Sequence, residues 1–228
     1  MLALDMHPFS LKVGLTTTSI VVMGKEMTSS RAQSQTLRTA LFPASTALTQ
    51  ATFLMGGVAF LAVLAQIAIP VPGSPVPVTG QTLGVFLIAT TYGARLAGLT
   101  FATYLLAAIA GAPIFAASAT LPSHGLARIT SATGGYLIGM LVATIVIGYL
   151  AEKKADRKFR TSFPMLILGS VVIFTFGLTW LKLSLTLSWT DTISIGLIPF
   201  IFGEALKITI TATSLPIIWK KISRKLSE

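Results

Sequence analysis

Pro199-Phe200-Ile201-Phe202-Gly203-Glu204-Ala205-Leu206-Lys207 places a carboxylate and an ammonium group inside an otherwise apolar run, residues 193–219. A run of this length is sufficient for a transmembrane helix, which needs about 20 residues. An ion at the centre of such a helix costs roughly 2.5 to 3.5 kcal/mol even on insertion scales, so intramembrane charges usually serve binding or transport. The sequence therefore predicts a functional site at Glu204 and Lys207.

The composition of the 228-residue chain indicates that lipid is its solvent. Hydrophobic residues make up 53% and charged residues 11%, and the mean hydropathy is +0.81; ordinary soluble domains carry about 25% charged residues. The formal net charge of +10 could indicate nucleic acid, but the basic residues lie in short clusters beside apolar stretches, without interleaved aromatics. We therefore predict a membrane protein that binds no nucleic acid. Because the chain has no Cys, disulfides, thiolate metal sites and cysteine nucleophiles are excluded.

Six apolar stretches predict an all-α membrane protein with six transmembrane helices. They are residues 46–69, 78–92, 94–111, 133–151, 164–187 and 193–219. The second and third stretches are short and separated only by Tyr92-Gly93-Ala94-Arg95. Four prolines between positions 70 and 77 cannot continue a helix, so they predict a rigid connection on the external side.

Lys and Arg clusters predict the orientation. With six crossings, the clusters within residues 12–38, 153–160 and 220–225 fall on one side together with Arg95, whereas the other side receives Arg128 and Lys182. The positive-inside rule then places both termini in the cytoplasm. We expect a multi-pass protein of the cell membrane.

The first 40 residues are rich in Ser, Thr and Arg and nearly free of acids, a composition with a weak similarity to organelle transit peptides. A floppy cytoplasmic extension, or a true start at Met23 or Met27, is the simpler interpretation. We predict a poorly ordered cytoplasmic extension over residues 1–45, a substrate-binding transmembrane domain over 46–219 and a basic cytoplasmic tail over 220–228.

Five motifs follow one another over about residues 50–220. They are Val76-Pro77-Val78-Thr79-Gly80-Gln81-Thr82-Leu83, the segments 92–98 and 104–116, Thr133-Gly134-Gly135-Tyr136, and the segment 199–207. In this order and spacing the chain resembles the BioY family, the biotin-binding membrane subunits (S components) of energy-coupling-factor (ECF) vitamin importers. It departs from that pattern at Glu204, where the family usually has Asp, and at Ser131-Ala132, which replaces Gly-Pro.

The resemblance implies an S-component-like bundle that binds biotin from outside and has no enzymatic activity. It also implies a transmembrane coupling subunit and two ATPase subunits as partners. The sequence contains no Gly-x-x-x-x-Gly-Lys-Ser/Thr phosphate loop, so we expect ATP only on those partners and no cofactor on this chain.

Glu204 and Lys207 are three residues apart and so share one helical face, which sets a hydrogen-bond acceptor beside donors. A cyclic urea has the complementary pattern, an N–H donor beside a carbonyl acceptor. One hypothesis is that Glu204 accepts a ureido N–H and Lys207 donates to the ureido oxygen; another is that Lys207 binds the ligand's carboxylate. An ion pair that only joins helices is the alternative without function.

Further candidates lie in the long segment 112–132 and around it. Arg128 can bind a carboxylate in a bidentate manner and is our candidate for the valerate end of biotin, although a loop arginine is often simply solvated. Tyr136 is expected to pack on the bicyclic ring, or else to contact a neighbouring helix. His124 lacks a second ligand at useful spacing and is expected at the surface, and we expect no metal site. Through the resemblance, Phe115, Ser118 and Gln81 join the candidate set.

The first apolar stretch carries Met55, Ala59, Ala62 and Gln66 at helical spacing. Small residues allow helices to approach closely in lipid, so this stripe marks either internal packing or a partner interface. In the resembled family a small-residue face of this helix docks on the coupling subunit, which makes Ala59 and Ala62 candidate interface residues.

Two other functions stay open at this stage. The same fold could bind another vitamin, such as riboflavin or thiamine. A small channel or an intramembrane enzyme would use Glu204 and Lys207 as gating or acid-base groups, but acid-base chemistry needs a second positioned group that the sequence does not show.

Overall fold

A computed structural model describes residues 36–43, 46–116, 118 and 121–227 of the chain, with the last side chain described at Arg224. This part of the protein is mostly helical. Its helices are α1 (Leu37–Leu41), α2 (Ala47–Gln66), α3 (Gln81–Tyr92), α4 (Ala94–Ile109), α5 (Leu126–Thr130), α6 (Gly134–Glu152), α7 (Phe159–Leu185), α8 (Trp189–Gly196) and α9 (Ile198–Ser227). A single 3₁₀ turn, Ala155–Arg157, separates α6 from α7.

Each of the six predicted spans contains one long helix, namely α2, α3, α4, α6, α7 or α9. Four of these, α2, α6, α7 and α9, are long and apolar enough to cross a membrane. Helix α4 is apolar but has only 16 residues, and α3 has 12. The prediction of a multi-pass helical membrane protein is confirmed, whereas the number of six crossings stays a prediction.

The connection after α2 differs from the predicted proline link. Strands β1 (Ala68–Ile69) and β2 (Val78–Thr79) pair in antiparallel fashion, with Ala68 opposite Thr79. Between them the backbone turns at Gly73, whose φ of 77° suits a residue without a Cβ. The all-α prediction missed this hairpin, because a two-residue strand pair leaves almost no sequence signal.

Two predicted boundaries were wrong. The stretch 164–187 begins at Phe159, since Pro164 lies near the start of α7, where the missing N–H costs only one helical hydrogen bond. The stretch 193–219 is divided at Leu197 into α8 and α9. Helix α8 is started by Ser188, whose Oγ accepts from the Asp191 N–H at 3.1 Å, and Pro199 is the second residue of α9, where no intrahelical N–H is required.

Helix α6 lies at the centre of the bundle and packs most extensively on α7. Its glycines make this possible: a Cβ on Gly139 would meet the Ile173 backbone at 2.9 Å, and a Cβ on Gly148 would meet the Ala94 backbone nitrogen at 2.6 Å. Small residues of this kind allow helices to approach closely in lipid. Helix α2, by contrast, is largely exposed and forms one side of the bundle.

Part of the predicted N-terminal extension is folded. Thr36 caps α1, and Leu37 packs on Leu215, Trp219 and Ile222 of α9. The expectation of a floppy segment is therefore wrong for residues 36–43, because a buried leucine and a capping box fix this turn. The rest of that prediction, residues 1–35 and 44–45, lies outside the described residues.

Helix α9 contains Pro216, which has no N–H to donate to the carbonyl of Ala212. The hydroxyl of Ser162 on α7 donates to that carbonyl instead, at 3.1 Å. The proline is thus accommodated by a hydrogen bond between helices.

Candidate functional site

A cavity of about 580 Å³, including its open mouth, lies between α3, α6, α7 and α9 and is covered by the segment that follows α4. Its polar lining groups include those of the predicted charged pair, and its apolar lining includes four aromatic residues. The lining residues that carry the following argument are Gln81, Thr82, Phe115, Arg128, Tyr136, Phe174, Phe200, Glu204 and Lys207.

Glu204 is buried and held by three helices. Its Oε1 accepts a hydrogen bond from Ser170 of α7 at 2.8 Å, and its Oε2 accepts one from Thr82 of α3 at 2.8 Å. Lys207, one turn further along α9, donates to Glu204 Oε2 at 3.3 Å and to Thr82 Oγ1 at 2.7 Å. The contact predicted from the i, i+3 spacing is therefore present, and it faces the cavity.

This arrangement leaves hydrogen-bonding capacity on both members of the pair. An ammonium group has three donors, and Lys207 uses two of them on Thr82 and Glu204. Glu204 Oε1 accepts only the Ser170 hydroxyl among the described residues, so one of its lone pairs stays available. The cavity can thus offer a donor and an acceptor side by side to a ligand with the opposite pattern.

An aromatic wall formed by Tyr136, Phe174 and Phe200 lines the same cavity. The Tyr136 ring stacks on Phe200 with centroids 6.4 Å apart and meets Phe174 edge-on at 6.2 Å. Its hydroxyl donates to the carbonyl of Gly196 at 2.8 Å. The ring lies directly on Gly177 of α7, where a Cβ would overlap ring atoms. Tyr136 is therefore fixed in place, with its ring available to an apolar ligand.

Arg128 also lines the cavity, but not as a solvated loop residue. It lies on the short helix α5 and is only 3% exposed. Its Nη1 donates to the Pro122 carbonyl at 3.3 Å, which uses one of five donors. Burial lowers its pKa, yet a guanidinium remains charged at any physiological pH. Arg128 can therefore present positive charge to an anionic group in the cavity.

Gln81 and Phe115 are joined through Tyr104. Gln81 begins α3, and its Nε2 lies 3.0 Å from the Tyr104 hydroxyl, which donates to the Ile114 carbonyl at 2.9 Å. The ring of Phe115 meets Tyr104 edge-on at 5.8 Å. Both predicted residues line the cavity, whereas Ser118 does not, since its hydroxyl accepts from the Leu121 N–H at 3.3 Å instead.

Sequence reasoning missed four side chains of this site: Thr82, Ser170, Phe174 and Phe200. Thr82 and Phe200 lie inside motifs that the sequence analysis quoted, so their positions carried a signal. Ser170 and Phe174 lie in an ordinary apolar stretch and carried none. His124, expected at the surface, is exposed.

The residues of the predicted interface stripe on α2 differ in exposure. Met55, Ala59 and Gln66 are exposed, whereas Ala62 is half-buried and packs against the core. Of the two candidate interface residues, Ala59 is therefore the one that lies on the outer surface.

The comparisons with known proteins agree on one family. The model of the BioY family matches residues 31–224. The biotin transporter BioY2 of Lactococcus lactis subsp. cremoris is 34% identical over 177 residues, covering 76% of this chain and 92% of that protein. The biotin transporter BioY of Thermotoga maritima is 34% identical over 144 residues, covering 63% of this chain and 81% of that protein.

A solved structure shares the fold. It is the crystal structure of the S-component for biotin from an ECF-type ABC transporter, which matches with a TM-score of 0.69 and 22% sequence identity. The match covers 78% of this chain and 95% of the other. The chain therefore shares the fold of that protein.

Proposed function

Since the chain belongs to the BioY family, we propose that it is the biotin-binding membrane subunit of an ECF-type importer and holds biotin in the cavity beside Glu204 and Lys207. The protein is a multi-pass membrane protein and not an enzyme. Its role is to bind the vitamin from outside with high affinity so that partner subunits can drive uptake.

One observation carries this proposal: an acid and a base with spare hydrogen-bonding capacity lie side by side on the cavity wall. A ureido group has N–H donors next to a carbonyl acceptor. Glu204 Oε1 accepts a ureido N–H, and the third N–H of Lys207 donates to the ureido oxygen. Both contacts are charge-assisted, and such hydrogen bonds are stronger than those between neutral groups.

The rest of the cavity suits the remaining parts of biotin. Tyr136 and Phe200 give a flat aromatic surface for the fused rings, and the guanidinium of Arg128 binds the valerate carboxylate. Because Arg128 lies on α5 and Glu204 on α9, the two ends of the ligand contact different elements. A ligand bound in this way therefore joins α5 to α9.

For transport we propose six crossings with both termini in the cytoplasm, a transmembrane coupling subunit and two ATPases. The basic clusters of the sequence support this orientation, and the absence of a phosphate loop in this chain supports separate ATPases. The exposed Ala59 surface of α2 is the proposed contact with the coupling subunit. Reorientation of the whole small bundle then turns the cavity inward. Riboflavin, thiamine, channel and enzyme functions are not favoured, since the matched relatives are biotin transporters.

Isothermal titration of the purified protein with biotin tests the proposal. We expect saturable binding in the nanomolar range. Glu204→Gln should weaken binding by on the order of 1 to 3 kcal/mol, because the amide loses the ion pair and one acceptor. A thermal-shift panel with riboflavin and thiamine is the control for ligand identity. Absence of saturable biotin binding by the wild-type protein refutes the proposal, and unchanged affinity in Glu204→Gln removes Glu204 from the site.

A further inference from the structure

The cavity is covered by the segment Ala112–Ala116, here called the cover segment, which follows α4. Within it, Phe115 is 1% exposed and Ala116 is 3% exposed, and both line the cavity. The backbone N–H of Phe115 also donates to the Ser123 carbonyl at 3.0 Å. The cover segment therefore forms part of the cavity wall.

Two side chains fasten the cover segment by its carbonyls. Tyr104 donates its hydroxyl to the Ile114 carbonyl at 2.9 Å from inside the bundle. Gln66 donates its amide to the Phe115 carbonyl at 3.2 Å and to the Ile114 carbonyl at 3.4 Å from the other side. Tyr104 is fully buried and part of the core, whereas Gln66 is exposed, on the last turn of α2.

Gln66 differs from Thr52 on the same helix. Thr52 donates to the Leu48 carbonyl of its own helix at 2.9 Å, as hydroxyls in helices commonly do. Gln66 also reaches its own helix, at the Ala62 carbonyl, but it additionally spans to carbonyls 48 and 49 positions away. It is a polar connection from the outer helix to the wall of the cavity.

We propose that Gln66 is a positioning residue that holds the cover segment closed over the bound ligand and so sets the rate at which the ligand leaves. This inference rests on the proposed biotin-binding function. The contact exists only when the segment lies against α2, so its loss destabilises the closed state alone. The dissociation rate constant therefore rises, while the association rate constant, which reflects entry into the open cavity, stays the same.

The test compares Gln66→Met, Gln66→Lys and Thr52→Val with the wild type in detergent, using labelled biotin. Methionine keeps the length of the side chain and removes the donor, whereas lysine keeps a donor. We expect roughly three- to tenfold faster biotin dissociation in Gln66→Met, the effect of one net hydrogen bond, with association changed less than about twofold. Gln66→Lys should recover most of the slow dissociation, and Thr52→Val should match the wild type.

A second measurement needs no ligand. Because the chain contains no Cys, Ala116→Cys introduces a single thiol into the cover segment. We expect a membrane-impermeant maleimide to label it severalfold faster when Gln66→Met is also present. A merely structural defect would instead lower the yield of folded protein and change both rate constants.

These outcomes separate the two proposals. Equal biotin dissociation rates in Gln66→Met and the wild type overturn the role of Gln66, as does faster dissociation that Gln66→Lys fails to restore. If the wild type binds no biotin, the proposed function fails and labelling of Ala116→Cys alone decides whether Gln66 fastens the segment; equal labelling then overturns this inference too.

Discussion

Glu204 and Asp156 are both buried carboxylates, the first on α9 and the second in contact with α9, yet their surroundings differ. Both oxygens of Glu204 accept hydrogen bonds, and Lys207 lies beside them. Asp156, in the 3₁₀ turn outside the membrane-spanning helices, accepts from the indole N–H of Trp219 through Oδ2, while its Oδ1 has no hydrogen-bond partner within the described part of the chain. Its neighbour Arg157 stacks over the Trp219 ring at 4.1 Å.

The difference shows that burial alone does not identify a binding site. Glu204 and Trp219 are 15 residues apart on α9, about 22 Å along the helix axis, so the two carboxylates serve different ends of the bundle. Both carboxylate oxygens of Glu204 accept hydrogen bonds, one lone pair stays available, and the residue faces a cavity. Asp156 is fully buried and joins the turn before α7 to α9. Glu204 is therefore suited to bind a ligand, whereas Asp156 is suited to connect two elements of the fold.

The largest change expected is that of Lys207→Met, which leaves Glu204 with hydroxyl donors but without a cation. The variant also loses the charged N–H that is proposed to bind the ureido oxygen, and a hydrogen bond to a charged group contributes about 1.5 to 3 kcal/mol. We therefore expect biotin affinity to fall by roughly 10- to 100-fold, measured by isothermal titration.

Lys158→Met is the matched control, because Lys158 is exposed and distant in sequence from the cavity residues. It should leave the affinity unchanged. If the biotin affinity of Lys207→Met lies within twofold of that of the wild type, the contact between Glu204 and Lys207 serves only to join helices, as the contact between Asp156 and Trp219 does.

The second prediction concerns the pH dependence of stability. Burial raises the pKa of Asp156 to about 6, and the Trp219 hydrogen bond opposes this only in part. The folded protein therefore keeps a proton that the unfolded chain loses near pH 4, so the free energy of unfolding falls as pH rises from about 4 to about 6 and stays lower above that. Asp156→Asn should remove most of this decline, on the order of 1 to 3 kcal/mol.

Thermal unfolding in detergent between pH 4.5 and 7.5 measures this effect. Asp191→Asn, which changes an exposed carboxylate on α8, serves as the control and should keep the decline. A decline of the same size in Asp156→Asn would show that Asp156 does not hold the extra proton.

The smallest expected effect is that of Ser170→Ala, which removes one of the two hydroxyl donors of Glu204. The cost in biotin affinity should be about 0.5 to 1.5 kcal/mol, since Thr82 and Lys207 still hold the carboxylate. Thr175→Val on the same helix, whose hydroxyl bonds only its own backbone at Val171, should have no effect. Equal affinities of the two variants would mean that Ser170 does not orient Glu204.

The sequence predicted the main helices and the centre of the site because both depend on strong local signals. Apolar length locates a helix that must lie in lipid, and two charges inside such a helix are conspicuous at Glu204 and Lys207. Arg128 was found as a candidate for the same reason, as an isolated cation, but its burial on α5 depends on contacts that no local pattern encodes.

Ser170 and Thr82 show why the rest could not be predicted. Hydroxyls in helices usually bond the carbonyl four residues earlier, as Thr90, Thr100 and Thr144 do. Only the packing of α3 and α7 around α9 turns two such hydroxyls toward Glu204. The break at Leu197 was missed similarly, since the residues on both sides of it are apolar.

Gly177 has a consequence for the range of ligands that such a bundle can accept. It does not line the cavity, but the phenol ring of Tyr136 rests on it, so even one added methyl group on α7 would push that ring inward. The width of the cavity at Tyr136 thus depends on Gly177, a residue that the ligand does not contact. Selectivity can change here without any alteration of the groups that recognise the vitamin.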